Sequence, residues 1–210
     1  AVFHAVGLEI DQFAHPDTVI SYVDGSRLLE QCVAATGCEH FGLLLGELGG
    51  SSSLGISGFM LRAAPDVSTA LLSLQKHIDL HDQGGVVTLD HKKDMGFLGY
   101  EVQLANAHTP EVILDLSVAI ECKIMRELCG AEWTPTKVFF SHRKPKDSLP
   151  YQDFFQAPIR FSSSRNGLAF PAFCLRQKPL GSDPLLFDFL QQQASQLHEN
   201  QNSDLRHGLR

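Results

Sequence analysis

The 210-residue sequence has no run of about 18 apolar residues, the length that a membrane-spanning helix requires. Residues 1–17 contain no basic segment followed by an apolar core, so we expect no signal peptide. Cysteine is scarce, with five residues, and no two of them form a Cys-x-x-Cys pair. A disulfide framework and a cysteine-based zinc site are therefore not indicated, and we expect a cytoplasmic protein with small, buried thiols.

Positive charge is also in deficit, because 17 lysine and arginine residues stand against 24 aspartate and glutamate residues, for a net charge of -7. A protein that binds duplex DNA normally presents a basic surface that displaces counterions from the phosphates. Anionic membranes attract basic surfaces in the same way. The composition therefore disfavours nucleic acid and anionic membranes as partners of this chain.

The common catalytic and cofactor motifs are missing as well. The sequence has no Gly-x-Gly-x-x-Gly after a strand, no Gly-x-x-x-x-Gly-Lys-Ser/Thr loop, no Gly-x-Ser-x-Gly elbow and no His-Glu-x-x-His pair. No pattern thus indicates dinucleotide, phosphate-loop, serine-hydrolase or zinc-hydrolase chemistry. We expect neither a metal nor an organic cofactor.

Apolar residues recur at the helical spacing of 3.6 in several segments of the chain. Gly37, Gly84 and Gly130 follow three of these segments and predict their ends. The glycine and serine run at 49–53 predicts a flexible loop. The predicted helices are 26–36, 41–48, 66–81, 110–129, 151–155 and 184–197.

Short β-branched and aromatic runs predict the strands. Residues 86–89 and 95–104 form a hairpin whose connection, 91–94, is polar, and further strands are predicted at 137–141, 159–161 and 167–170. Helices outnumber strands and do not alternate strictly with them, which favours an α+β fold. We expect a small mixed or antiparallel sheet packed with several helices, one of them long and central.

The helix at 110–129 is the longest predicted element. Thr109 is predicted to cap it, with Pro110 at its first position. Ile113, Leu116 and Ile120 lie on one face, but parts of the opposite face are apolar too. This helix is therefore either central to the fold or faces a partner subunit.

His77 and His81 stand four residues apart in a predicted helix, so both imidazoles would point the same way and could grip one metal ion. No third ligand is evident. The alternative is a helix end at which histidine interacts favourably with the helix dipole, followed by Asp82 as the first turn residue.

Two further groups stand out at 137–173. His142 and Arg143 open a basic loop, 141–147, at a strand exit, where they could meet a carboxylate or phosphate; the alternative is a solvated loop. Eight aromatic residues either line an apolar ligand cavity or form ordinary core. They are Phe139, Phe140, Tyr151, Phe154, Phe155, Phe161, Phe170 and Phe173.

Five segments, in order along the chain, resemble the N-terminal effector domain of AraC-type transcription regulators, often called the arabinose-binding-like domain. Each motif is short, and the resemblance is specific because all five occur together and in the family's order. They are TGCEHFGLLLGE at 36–47, LGISGFMLRAAPDVSTAL at 54–71, HIDLHD at 77–82, IMRELCGAEWTPTKVFFSHRKP at 124–145 and YQDFFQAPIRFSSSRNGLAFP at 151–171.

The resemblance implies a bacterial regulator domain that binds an unknown small effector and self-associates. In a symmetric homodimer, we expect helix 110–129 or helix 184–197 to meet its copy. The resemblance also implies that DNA is bound by a helix-turn-helix part that this chain lacks. We assign residues 1–197 to the sensing domain and 198–210, where the sequence turns polar, to the start of a linker. The candidate ligand contacts are Arg62, His81, Tyr100, His142 and Arg143.

Two other functions remain open at this point. One is a metal or haem sensor that uses His77 and His81. The other is an enzyme that acts on a small polar molecule with His142 or His81 as the acid or base. Neither has motif support beyond these residues.

Overall fold

The computed structural model describes residues 2–15, 18–103 and 109–207, with backbone alone from residue 200 onward. Short 3-10 helices occur at Ile10–Ala14, Ser51–Leu54, Ile78–Leu80 and Ala172–Arg176. The α-helices are α1 (Val2–Ala5), α2 (Tyr22–Thr36), α3 (Phe41–Leu48), α4 (Gly55–Ala63), α5 (Val67–His77), α6 (Glu111–Cys129), α7 (Leu149–Phe155) and α8 (Pro184–His207). The strands are β1 (Gly85–Lys92), β2 (Met95–Val102), β3 (Lys137–Phe139), β4 (Ile159–Arg160) and β5 (Gly167–Pro171).

The strands form one mixed sheet in the order β1-β2-β5-β3-β4. β1 and β2 are the predicted hairpin, with Lys92 opposite Met95 across the turn. β5 runs antiparallel to both β2 and β3, and β4 pairs with β3 in parallel. The α+β class and the mixed sheet are therefore as predicted. Leu104, the predicted end of the second hairpin strand, lies outside the described residues.

α6 is the central helix. It packs against α3 on one side, against β2 and β5 on another, and against α2. Its buried residues surround the helix axis: Val112, Ile113, Leu114, Asp115, Val118, Ala119, Glu121, Cys122, Ile124, Met125 and Leu128. The apolar residues on both sides of α6 are thus explained by burial within the chain, and self-association through α6 stays a prediction.

The backbones of α3 and α6 approach each other closely because α3 presents glycine at the crossing. A Cβ atom at Gly42 would overlap the carbonyl oxygen of Val112, and one at Gly46 would lie 2.5 Å from the Ala119 Cβ. Real Cβ atoms do not approach this closely, so only glycine fits these two positions without a shift of one helix.

Local capping explains where α2 and α5 begin and end. Ser21 caps α2 by accepting a hydrogen bond from the Asp24 backbone N–H, so α2 begins at Tyr22 and not near Ser26. Gly37 ends it in the left-handed conformation, as predicted. Asp66 caps α5 in the same manner as Ser21.

Other expectations on local structure are also wrong. Residues 51–54 form a 3-10 helix because Ser51 is buried and its N–H donates to the Glu127 carboxylate. The N-cap residue of α6 is Pro110 and not Thr109, and it has no side-chain cap hydrogen bond. α5 ends at His77, where a 3-10 turn follows. α8 continues past Leu197 to His207, because no glycine or proline interrupts it, so α8 and not α6 is the longest described helix.

The polar segment after Leu197 is accordingly helical up to His207. Residues 208–210 lie outside the described part of the chain. The assignment of 198–210 as the start of a linker stays a prediction. Within the described residues, none of the helices combines the length and the apolar character needed to cross a bilayer.

Candidate functional site

A cavity of about 380 Å³ lies between α2, α5, the β1–β2 hairpin and α6. Branched aliphatic side chains supply most of its wall, which is typical of small-molecule sites in proteins. The apolar lining residues are Ile20, Leu28, Leu29, Leu54, Leu74, Ile78, Val87, Ile113, Leu116, Ile120 and Ile124.

The helical repeat of α6 explains its part of the wall. Ile113, Leu116, Ile120 and Ile124 recur at intervals of three and four and form one stripe. Leu116 and Ile120 are only half-buried although they lie in the middle of a central helix, because the stripe faces the cavity. The stripe that the sequence predicts as core is therefore partly a ligand-accessible surface.

One end of the cavity holds a polar group built on Asp82. Its Oδ1 accepts hydrogen bonds from the Gly84 and Gly85 backbone N–H groups at 2.9 and 3.1 Å. Its Oδ2 accepts one from the Tyr100 hydroxyl at 2.5 Å. Burial, together with the negative charge of Asp82, raises the pKa of Tyr100 above its ordinary value. Both carboxylate oxygens of Asp82 are thus already engaged.

Tyr22 from α2 lies beside this group. Burial raises the pKa of the Tyr22 hydroxyl to about 12. Its oxygen has no hydrogen-bond partner at standard distance and angle among the described residues. Tyr22 is therefore a protonated hydroxyl at neutral pH that lies close to the Tyr100 hydroxyl at the polar end.

Glu121 lies on the α6 wall of the cavity and is only 4% exposed. Neither of its carboxyl oxygens has a hydrogen-bond partner within the part of the chain that the structure describes. Burial raises the pKa of Glu121 well above its ordinary value. A buried carboxyl without partners is costly in its charged form, so the neutral form of Glu121 is favoured.

The cavity has acidic side chains but no strongly basic ones. Asp82 and Glu121 line it, whereas none of the described residues on its wall is lysine or arginine. His81 is exposed and borders it. An anionic ligand would find no permanent positive charge to pair with here.

A second hollow, of about 540 Å³, lies beneath the basic loop. His142 and Arg143 border it, as do Glu30, Glu39 and Glu111. Lys146 Nζ lies 3.7 Å from a Glu39 carboxylate oxygen, so acidic and basic groups at this hollow pair with each other. The pairing is more typical of a solvated loop than of an anion site.

His142 is held in a buried network with Asp115 and Tyr151. Its Nε2 lies 3.0 Å from Asp115 Oδ1, its Nδ1 lies 2.9 Å from the Arg143 carbonyl oxygen, and the Tyr151 hydroxyl donates to Asp115 Oδ2 at 2.6 Å. Burial lowers the pKa of His142, but the hydrogen bond and charge of Asp115 outweigh it and the pKa is raised overall. Because both ring nitrogens face acceptors, His142 is an imidazolium, and Asp115 joins the loop after β3 and α7 to α6.

The candidate ligand contacts are distributed over three places. His81 and Tyr100 border the apolar cavity, and His142 and Arg143 border the second hollow. Arg62 borders neither of these two cavities and lies exposed on α4, with its guanidinium 5.1 Å from the Phe59 ring centre. Which of these residues contacts a ligand stays a prediction.

Three polar features of the cavity were not predicted from the sequence. They are Tyr22, Asp82 as the acceptor of the Tyr100 hydroxyl, and Glu121. Glu121 had a usable signal, because it is an acidic residue directly beside the apolar stripe of α6. Tyr22 had none, since only the packing of α2 on the hairpin places it there.

His77 and His81 do not share one helix face, because α5 ends at His77. His77 instead places its Nδ1 2.9 Å from Nε2 of His198 on α8, and His198 Nδ1 lies 3.5 Å from Asp79. Among the described residues, no group of three histidine, cysteine, aspartate or glutamate side chains is placed to hold a metal ion. The metal-ion alternative depended on a shared helix face, which His77 and His81 do not have.

Half of the eight predicted aromatic residues form core, whereas Phe173 is 54% exposed and Phe154 and Phe161 border surface hollows. Phe140, Tyr151, Phe155 and Phe170 are at most 1% exposed. Phe140 packs edge-on against Tyr151 and Phe155 with ring centres 5.8 and 5.9 Å apart. Ordinary core is therefore the correct interpretation for these four residues, and none of the eight lines the apolar cavity.

Comparison with known proteins places these features in context. Residues 1–179 match the family model described as the arabinose-binding domain of AraC transcription regulator, N-terminal. The fold is similar to the crystal structure of the transcriptional regulator CdpR from Pseudomonas aeruginosa, with a TM-score of 0.65 and 17% sequence identity. The similarity covers 84% of this chain and 57% of CdpR, so the chain spans little more than half of that protein. No curated protein matches the sequence.

Proposed function

Since the chain belongs to the family of arabinose-binding N-terminal domains of AraC transcription regulators, we propose that its apolar cavity is the site where a small effector binds. Membership makes the chain a ligand-sensing regulatory domain. The cavity between α2 and α6 is the observation that carries the proposal, because it combines an apolar wall with a few polar groups at fixed places.

The family name does not identify the effector. A pentose carries several hydroxyl groups, and each one needs a hydrogen-bond partner when water is removed. Most of this wall is leucine, isoleucine and valine, which offer none. The lining therefore favours a ligand with a large apolar part over a sugar.

Filling the cavity is expected to abolish ligand binding. Leu28→Trp places a large ring in the cavity from α2, whereas Arg27→Trp adds the same ring at an exposed neighbouring position that does not line it. In a thermal-shift screen, a ligand at about 100 times its Kd adds roughly 2.7 kcal/mol of stability to the parent domain. We expect Leu28→Trp to lose this gain and Arg27→Trp to retain it. Equal gains in both variants would place the binding site elsewhere.

A physical path leads from the cavity to α8. Leu74 and Ile78 line the cavity on α5 and the turn after it. His77 lies between them in the sequence and contacts His198 on α8. We propose that an effector acts through this contact on α8 and, through α8, on an attached DNA-binding domain. The sensing domain itself is assigned to residues 1–197.

We further propose that the domain forms a symmetric homodimer through the exposed apolar residues of α8. Leu185 is 82% exposed and Phe189 56% exposed, although both are large and apolar. Phe59, on the neighbouring helix α4, is 56% exposed. Exposed apolar patches of this kind mark contacts with other proteins, and a twofold axis makes one patch serve both subunits.

Charge on this patch is expected to weaken self-association. Phe189→Glu places a carboxylate in the apolar contact, and we expect at least about a tenfold rise in the dimer dissociation constant. Leu149→Glu is the matched control, because Leu149 is 63% exposed at the start of α7. Sedimentation velocity across a concentration series measures both. A parent domain that stays monomeric at micromolar concentration contradicts the proposal, as does a Phe189→Glu variant that dimerises like the parent.

The family is a class of sensing domains and not of enzymes. We propose in addition that the domain binds its effector without converting it and that it acts in the cytoplasm, where its DNA target is found. His142 is one of the two residues that the enzyme alternative would use as an acid or base. Asp115 and the Arg143 carbonyl group occupy both of its ring nitrogens, which supports binding without conversion.

A further inference from the structure

We propose that Glu121 recognises the positively charged amino group of an amphiphilic amine, so that the effector class is a primary amine on an apolar body. This inference rests on the proposed role of the cavity as the effector site. It follows from the juxtaposition of one buried, unpartnered carboxyl group with an otherwise aliphatic wall.

The ionisable residues on the cavity wall favour a positively charged ligand over a negatively charged one. Asp82 and Glu121 are the acidic residues on its wall, and no lysine or arginine accompanies them among the described lining residues. A ligand carboxylate or phosphate would add negative charge without a permanent counter-charge. An ammonium group would supply the charge that the wall lacks.

Glu121 and not Asp82 has the free acceptor capacity. Asp82 already accepts from Tyr100 and from two backbone N–H groups. Glu121 has two oxygens without partners, and its carboxylate can accept from an ammonium group at both. The aliphatic residues Leu116, Ile120 and Ile124 beside it would cover the apolar body of the ligand.

Binding then requires a proton to leave. Burial without hydrogen-bond partners raises the pKa of Glu121 and favours the neutral carboxylic acid before a ligand binds. When R–NH3⁺ enters, the O–H bond of Glu121 breaks, its electron pair stays on the carboxylate, and the proton passes to the solvent. The product is the ion pair R–NH3⁺ with Glu121 carboxylate, which is stronger than a neutral hydrogen bond.

The other titratable groups on the wall are Tyr22 on α2, His81 and Asp82 after α5, and Tyr100 on β2. Burial raises the pKa values of Tyr22 and Tyr100, so both hydroxyls keep their protons at neutral pH. Proton release that disappears in a Glu121 variant with His81 and Asp82 intact is therefore assigned to Glu121.

The test compares three probes of the same length: hexylamine, hexanol and hexanoate. Isothermal titration calorimetry at pH 7 gives their dissociation constants with the parent domain and with Glu121→Gln, which has nearly the same shape and no charge. We expect the parent to bind hexylamine at least about tenfold more tightly than hexanol, a difference of about 1.4 kcal/mol. In Glu121→Gln we expect the amine preference to vanish while hexanol binding persists.

Repeating the titration in buffers of different ionisation enthalpy counts the protons released. We expect up to one proton per hexylamine bound by the parent and none with Glu121→Gln. Thermal unfolding of the empty Glu121→Gln variant at pH 8 checks its folding, and we expect it to be no less stable than the parent, because it removes a group that burial disfavours.

Failure of the amine inference can be distinguished from failure of the cavity as an effector site. If hexanol or hexanoate binds in a manner that Leu28→Trp abolishes, but hexylamine has no advantage or keeps its advantage in Glu121→Gln, the effector site stands and the amine inference is wrong. If none of the three probes binds, the amine inference is overturned together with the cavity as an effector site.

Discussion

Replacing Asp115 with alanine is expected to lower the free energy of unfolding by about 3–5 kcal/mol, the usual cost of removing one partner of a buried ion pair. Asp115 is 1% exposed and contacts His142 and Tyr151 at once. Its loss leaves the imidazolium of His142 buried without a counter-charge and the Tyr151 hydroxyl without an acceptor. Urea denaturation of both proteins at pH 6 measures the difference.

Asp115→Asn is the matched control, since it keeps the shape and one acceptor oxygen but removes the charge. The network also predicts the sign of a pH dependence. The folded pKa of His142 is raised, so its stabilising contribution is complete below the ordinary histidine pKa and is lost as the pH rises through the folded value. We expect parent stability to decline above pH 6 more steeply than that of Asp115→Asn. Parallel pH profiles, or a cost of less than about 1 kcal/mol for Asp115→Ala, would show that the pair does not stabilise the fold.

Gly42→Ala is expected to lower the free energy of unfolding by at least about 1–3 kcal/mol, the range for overpacked cores. The added methyl group would overlap the Val112 carbonyl oxygen and lie 2.9 Å from the Asp115 Cβ. Because the first of these neighbours is backbone, relief requires a shift of α3 or α6 as a whole. The same urea titration measures the loss.

Gly25→Ala, in α2, is the control for helix propensity. Its new methyl group would meet only the end of the Ile20 side chain, at 3.2 Å, and that chain can move. Alanine is favoured over glycine in a helix by roughly 0.5–1 kcal/mol, so we expect Gly25→Ala to be neutral or stabilising. The close α3–α6 approach would be contradicted if the two alanine variants had the same stability.

The parts of the fold that local sequence specifies were predictable. Gly37 ends α2 because it adopts the left-handed conformation, and the alternation before and after Lys93 and Asp94 produces the hairpin. Segment 51–54 was not predictable as a helix, because the contact that orders it comes from Glu127, far along the chain. The extension of α8 beyond Leu197 was missed because a polar composition does not exclude a helix when no glycine or proline interrupts it.

The site was harder to predict from the sequence, because it depends on contacts between residues that are far apart along the chain. Tyr100 was named as a candidate contact, but the Asp82 carboxylate that orients its hydroxyl was not. The stripe on α6 predicts burial, yet periodicity does not tell a filled core from a cavity. The sequence marks His142 only as a basic residue at a strand exit. Its structural role depends on its contact with Asp115, whose position within the apolar helix α6 gives no sign of that contact.

The glycine contact between α3 and α6 also bears on the mechanics of the domain. Two helices whose backbones touch resist sliding and separation, so the α6 wall of the cavity is stiff. The opposite wall, α2, is held by side chains such as Leu28 and Leu29, which are only half-buried. We expect α2 to shift when ligands of different size bind, while α6 and the sheet stay in place. The position of α2 relative to α6 would then depend on the ligand.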